Sequence, residues 1–244
     1  MATYETFAAV YDSIMDDSLY EKWTNFSLRH FPEGKKKLLE HACGTGIQSI
    51  YFKKAGFDVT GLDLSQEMIK IADKRAQDVG LDISFIQGNM LDLSKIETYD
   101  LITCYSDSLC YMEDEIAVGD VFEQAYQHLN DGGVFIFDVH SIYQIDKIFP
   151  NYSYHENADD FAFVWDSYLG DAPHSIVHEL TFFIKEENGF FSRHDEIHEE
   201  RTYDRITYEV LLEQAGFKNI KVYADFTDNE PSETSSRWFF VAEK

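Results

Sequence analysis

The sequence predicts an α/β fold built on a parallel sheet covered on both faces, and two observations carry this. Between residues 36 and 139 short apolar runs alternate with helix-like stretches, the rhythm of strands joined by helical crossovers. The first of those runs, residues 36–40, enters a turn with two close glycines, Gly44-Thr45-Gly46, that leads directly into a helix. Such a turn lets bare backbone approach a ligand, and the helix beyond it presents unpaired N–H groups.

The elements follow in order. Tyr4, Phe7, Tyr11, Ile14, Met15, Leu19, Tyr20, Trp23, Phe26 and Leu28 recur at helical spacing and predict a helical N-terminal arm over residues 4–30. Pro32 and Gly34 end it. Strand 36–40 is followed by helix 47–55, closed by Gly56. Strand 59–63 is followed by a helix that Ser65 caps and Gly80 closes. Strands 83–87 and 100–105 come next, then helix 115–129, stopped by Asn130-Asp131-Gly132-Gly133. An almost wholly apolar strand, 134–139, completes this run. After His140 the rhythm breaks. Residues 141–158 read as a loop with some helix, and β-like runs appear at 161–165, 176–185 and 190–201, with a hairpin signal at Glu187-Asn188-Gly189. These predict an antiparallel insertion over one end of the main sheet. Helix 207–215, capped by Gly216, and strands 219–226 and 238–242 resume the core.

Lys plus Arg number 20 against 45 Asp plus Glu, a formal charge of −25. Such a surface repels nucleic acid and anionic membranes, so neither is expected as a partner. Aromatic residues at 16% argue for a folded chain rather than an acidic disordered one. Cys43, Cys104 and Cys110 form no CxxC pair and read as free thiols of a reducing compartment. The N-terminus shows no secretory pattern, and no apolar run approaches the ~20 residues of a membrane helix. A cytoplasmic protein is expected.

Asp63 ends the second strand, roughly 20 residues beyond the glycine turn, where an acidic side chain accepts the hydroxyls of a ribose. Against a nicotinamide dehydrogenase, Gly44-Thr45-Gly46 lacks a third glycine, and Glu40 sets a negative charge before the turn.

Five segments in order carry a specific resemblance: Glu40-His41-Ala42-Cys43-Gly44-Thr45-Gly46; Asp63; Gln87-Gly88-Asn89-Met90; Tyr99-Asp100-Leu101-Ile102; and Leu129-Asn130-Asp131-Gly132-Gly133. The chain resembles the class I S-adenosylmethionine-dependent methyltransferases over about residues 36–139. Tyr11-Asp12 in an aromatic arm and the β insertion resemble the small-molecule branch of that family. The resemblance implies a Rossmann-like three-layer α/β/α fold with a seven-stranded mixed sheet, the insertion entering before the sixth strand. It divides the chain into an arm (1–34), a core (35–140 and 204–244) and an insertion or lid (141–203).

The resemblance also implies site roles. Glu40 would orient the loop and the methionine amine of the cofactor. Ala42, Cys43, Gly44 and Gly46 would line the methionine and ribose, and Asp63 would hold the ribose. Leu64 and Met68 would pack near the adenine. Asn89 would contact its exocyclic amine, with Met90 at its face. Tyr105 and Ser106 would lie where cofactor and acceptor meet, and Tyr11 would close over the cofactor carboxylate. The implied product is S-adenosylhomocysteine. Ala42 stands where many members have glycine, and Asn89 where Asp is common, although an amide oxygen still accepts a hydrogen bond.

Methyl transfer from a sulfonium is an in-line displacement, so positioning and desolvation do most of the work, and a base is needed only if the acceptor must lose a proton. His140, directly after the fifth strand, and Tyr105 are the candidate catalytic residues. His198, Arg201 and Tyr203 are the candidate acceptor contacts. Glu196, His198 and Glu200 share one face of a strand, but alternating polar residues usually mark a wet face. No metal is therefore expected. The Cys104-Tyr105-Ser106-Asp107-Ser108 segment lacks an Asn-Pro-Pro-Tyr-type motif, which argues for a small-molecule N or O acceptor over a nucleic-acid base. A homodimer is a further expectation. The rival to an enzyme is a non-catalytic S-adenosylmethionine-binding regulatory protein.

Overall fold

Seven strands form the central sheet, in the order β10-β11-β5-β4-β1-β2-β3. The structure is a computed structural model that describes residues 16–186 and 188–244. Strands β1 (Lys37–His41), β2 (Asp58–Asp63), β3 (Ser84–Gln87), β4 (Tyr99–Cys104) and β5 (Leu129–His140) run parallel. Strands β10 (Lys218–Ala224) and β11 (Arg237–Glu243) close the edge antiparallel. The expected α/β fold with a seven-stranded mixed sheet is the one observed.

Adjacent strand residues face opposite layers, both covered, which is why the central strands are mostly apolar, with Glu40, His41, Thr103 and Asp138 as buried exceptions. Leu39, Ile102 and Phe240 pack against helices α4 (Glu115–His128) and α5 (Arg205–Ala215). Leu38, Leu101 and Phe239 pack on the other side against α1 (Ser18–His30), α2 (Ile47–Lys54) and α3 (Gln66–Asp78). Ser65 caps α3 as expected, its hydroxyl accepting from the Met68 N–H at 3.3 Å. Among the described residues no helix is long and apolar enough to cross a membrane.

A second sheet of four antiparallel strands, β6 (Ser153–Asn157), β7 (Phe161–Leu169), β8 (Ser175–Lys185) and β9 (Phe191–Arg201), lies between β5 and β10 in sequence. Strand β6 falls in the stretch read as loop and helix. Its residues are almost all exposed, so no apolar alternation marked it. Strand β5 begins at Leu129 rather than Val134, a register irregularity against β4 absorbing the intervening residues. The predicted arm is seen as α1 from Ser18; its earlier positions, Tyr11 among them, lie outside the described residues.

Candidate active site

Strand order reverses at β1, where β2 continues to one side and β4 to the other, so a crevice opens at the carboxyl ends of β1 and β4. A cavity of about 70 Å³ occupies it, lined by Glu40, Ala42 to Thr45, Ile47 and Gln48 from the glycine turn, Tyr105 and Ser106 after β4, and Tyr20 and Trp23 of α1. Such a volume suits one end of an elongated ligand and not a whole nucleoside.

The turn is shaped by left-handed backbone at Ala42 (φ 51°), Gly44 (φ 52°) and Gly46 (φ 79°). A methyl on Gly46 would stand 2.8 Å from the Cβ of Ala72, so this glycine lets the turn seat against α3, whereas Gly44 opens onto free space. Ala42 tolerates a conformation that glycine adopts without penalty, so its departure from the family pattern carries a cost in backbone energy. Asp63 ties the turn down. Its Oδ2 accepts from the Gly44 N–H at 2.8 Å and its Oδ1 from the Ser65 N–H at 2.9 Å.

Glu40 is 3% exposed, and its Oε2 accepts a hydrogen bond from the Ser49 hydroxyl. Burial above all, with the nearby Asp63 charge, pushes its carboxyl up to about 8, against the lowering effect of Ser49. Beside it the Oε1 of Gln48 is buried without a hydrogen-bond partner. A buried carboxyl with no cation and an amide oxygen with no hydrogen-bond partner among the described residues, beside an open glycine, fit the ammonium and backbone of a methionine moiety.

The predicted adenine-side residues are spread along the surface beyond this cavity. Leu64 is 70% exposed, and Asn89 uses its Oδ1 on the Leu91 N–H at 3.0 Å. Met90 packs against the core cluster shared with α4, and Met68 against Phe163, Leu180, Phe182 and Ile184 of the second sheet. Cys43 is buried at the cavity wall; all three cysteines are buried and free.

Tyr105 and His140 have different surroundings. The Tyr105 hydroxyl pairs with Ser27 Oγ, the ring stacks on Trp23, and burial pushes its proton release far up. The tyrosine is therefore a wall of the cavity and a poor base. His140 Nε2 lies 3.2 Å from Asp107 Oδ2 and 3.5 Å from Glu200 Oε2. Asp107 reaches this position because Ser106 and Asp107 both adopt left-handed backbone (φ 56° and 55°). Burial works against the Asp107 charge, but Arg237 and His140 hold its carboxyl well below the usual range. Arg237 also pairs with the fully buried Asp138, which accepts from Trp23 Nε1 at 2.8 Å.

The face of β9 bearing Glu196, His198 and Glu200 is the inner one. Those residues pair across from Leu180, His178 and Ile176, while Phe191, Arg193, Asp195, Ile197 and Glu199 point outward. The expectation of a wet face fails at Glu200, which is buried, while Glu196 and His198 stay partly exposed. His198 bridges Tyr111 Oη and Glu196 Oε2, each at 3.0 Å. Arg201 donates to the Pro173 carbonyl and lies over the Tyr203 ring, and Tyr203 belongs to the core beside Tyr208. Sequence reasoning missed Tyr20, Trp23, Gln48, Asp107, Asp138 and Arg237. The one available signal was a charged residue, Asp138, inside an otherwise apolar strand.

Residues 38–133 match the family model described as a methyltransferase domain. A putative methyltransferase of Geobacillus sp. (strain WCH70) is 40% identical over 99% of this chain and 100% of its own length. A crystal structure of an S-adenosylmethionine-dependent methyltransferase from Clostridium acetobutylicum superposes with a TM-score of 0.84 at 27% identity, covering 99% of this chain and 98% of that one. The sugar N-methyltransferase KedS8 from Streptoalloteichus sp. shares the fold, with a TM-score of 0.77 at 20% identity over 98% of this chain and 92% of its own.

Proposed function

The chain belongs to the class I S-adenosylmethionine-dependent methyltransferases, and from that premise we propose that it transfers a methyl group to a nitrogen or oxygen of a small molecule. The acceptor lies between the carboxyl edge of the central sheet and the four-stranded insertion, which acts as its lid. The observation that carries this reading is the continuity of two features. The cavity lined by Glu40, Gly44 and Tyr105 abuts the Ser106–Asp107 turn, and that turn delivers Asp107 to His140 and Glu200.

S-adenosylmethionine supplies the activated methyl group as a sulfonium. Glu40 and Gln48 bind the methionine end, Asp63 the ribose, and Leu64, Met68, Asn89 and Met90 the adenine side. Cys43 and Ser106 wall the junction. Trp23, Tyr20 and Tyr105 line the cavity and would exclude water from it, and positioning and desolvation lower the barrier to methyl transfer most. His140, with Asp107 and Glu200, holds the accepting atom. His198 and Tyr111 line the outer approach. The fold shared with a sugar N-methyltransferase supports an amino-bearing acceptor, and the surface charge of −25 favours a small or cationic substrate over a polyanion.

Calorimetric titration with S-adenosylhomocysteine tests the first half of this reading, and saturable binding at one site is expected. Methyl transfer to a panel of aminosugars, amines, phenols and carboxylates tests the second. Turnover confined to nucleic-acid or protein acceptors would overturn the small-molecule assignment.

A further inference from the structure

We propose that Asp107, His140 and Glu200 form a divalent-cation site at the acceptor end of the pocket. One ligand atom from each residue lies within 4.8 Å of the others. The edges from His140 Nε2 are 3.2 Å to Asp107 Oδ2 and 3.5 Å to Glu200 Oε2. Two donors bound to one ion at about 2.0–2.2 Å stand about 3.0–3.5 Å apart in octahedral or tetrahedral arrangement, and the two edges from His140 match that spacing. One imidazole and two carboxylates suit zinc or manganese, and three protein ligands leave a position open.

A second observation is independent of that spacing. Glu200 is only 6% exposed, and its carboxylate, which also receives the Tyr111 hydroxyl, turns Oε2 toward His140, an oxygen with no hydrogen bond that meets ordinary geometry among the described residues. The atoms on the far side of each carboxylate have neighbours that orient them. Arg237 Nη1 pairs with Asp107 Oδ1, and His178 Nε2 stands 3.8 Å from Glu200 Oε1. His178 Nδ1 accepts from Trp165 Nε1 at 3.1 Å, which puts the imidazole proton on the nitrogen facing Glu200. Outer partners of this kind fix metal ligands in place.

Charge points the same way. Asp107, Asp138 and Glu200 are three buried carboxyls that meet one guanidinium, Arg237, among the described residues. Buried charge without a counter-ion is costly, and a divalent ion would supply the counter-charge for those of these carboxylates that are ionised. The pairing of β9 with β8 is what turns Glu200 inward. Bound there, the ion takes an oxygen or nitrogen of the acceptor as a further ligand. The site itself stands whether or not the cofactor reading holds.

The test is titration of chelator-treated protein with Mn²⁺, followed by the paramagnetic resonance of free Mn²⁺, with a parallel calorimetric titration of Zn²⁺. One site per chain is expected in the wild type. It should weaken by at least about tenfold in Glu200→Gln and His140→Gln and persist in Glu196→Gln. S-adenosylhomocysteine binding by each variant reports that it has folded. Should the variants not fold, Mn²⁺ added to the wild type must broaden the ring resonances of His140 and His178 before those of the other histidines. No binding of either ion, many weak sites on the acidic surface alone, or a site that Glu200→Gln retains at full affinity overturns the proposal. Metal failure with intact S-adenosylhomocysteine binding sinks this inference alone, while loss of S-adenosylhomocysteine binding in the wild type sinks the cofactor reading.

Discussion

Asp63 spends both carboxylate oxygens on backbone N–H groups, one in the glycine turn and one at the start of α3. Each oxygen keeps a lone pair for a ribose hydroxyl, so the residue both shapes the turn and can hold a ligand. Asp63→Ala is expected to weaken S-adenosylhomocysteine binding by about 1–3 kcal/mol in calorimetry. Unchanged affinity would remove Asp63 from the site. His41 presents a different single-residue problem. It is fully buried in β1 with neither ring nitrogen hydrogen-bonded among the described residues, and burial, helped by the His128 charge, drives its pKa down to about 3. Its folded value lies below the unfolded one, so its contribution is complete above about pH 6.5 and is lost as pH falls toward 3. From pH 6.5 to pH 5 the loss is roughly 2 kcal/mol. Urea denaturation should show that slope in the wild type and a shallower one in His41→Leu. Equal slopes would mean that His41 is not kept neutral by the fold.

At the scale of elements, one guanidinium joins three pieces of the molecule. Arg237 on β11 meets Asp138 on β5 and Asp107 after β4, and Asp138 in turn receives Trp23 of α1. Its loss leaves two buried carboxylates without a cation. Arg237→Met is expected to cost about 3–5 kcal/mol in urea, more than an exposed ion pair such as Arg29–Asp228 could account for. The glycine turn and α3 are linked sterically. Gly46→Ala adds a methyl that meets Ala72 and Phe85 in a left-handed conformation. A loss of roughly 2–3 kcal/mol in stability is expected, together with weaker S-adenosylhomocysteine binding. Retention of both would show that the turn can move away from α3.

For the whole molecule, a charge of −25 on 244 residues makes self-repulsion a standing cost. Salt screens repulsion between exposed carboxylates more than it weakens the buried Arg237 network. The melting temperature should therefore rise as sodium chloride goes from about 10 to 150 mM. A flat or falling curve would mean that exposed ion pairs outweigh the repulsion.

The sequence by itself determined the layered α/β core, because strands buried on both faces must be continuous apolar runs and their helices must carry caps. It fixed the glycine turn and Asp63 for the same local reason: left-handed backbone and strand-tip carboxylates leave marks in neighbouring residues. Strand β6 left no mark, since an exposed edge buries nothing. Only the tertiary structure decided that Glu200 faces inward, that Tyr105 pairs with Ser27, and that Asp107, His140 and Glu200 meet. Those residues lie on segments distant in sequence, and a period-two strand pattern is the same whichever face is covered. Pairing register and the antiparallel edge choose between the faces. That choice brings Glu200 from what reads as a stripe of surface charge to within reach of His140.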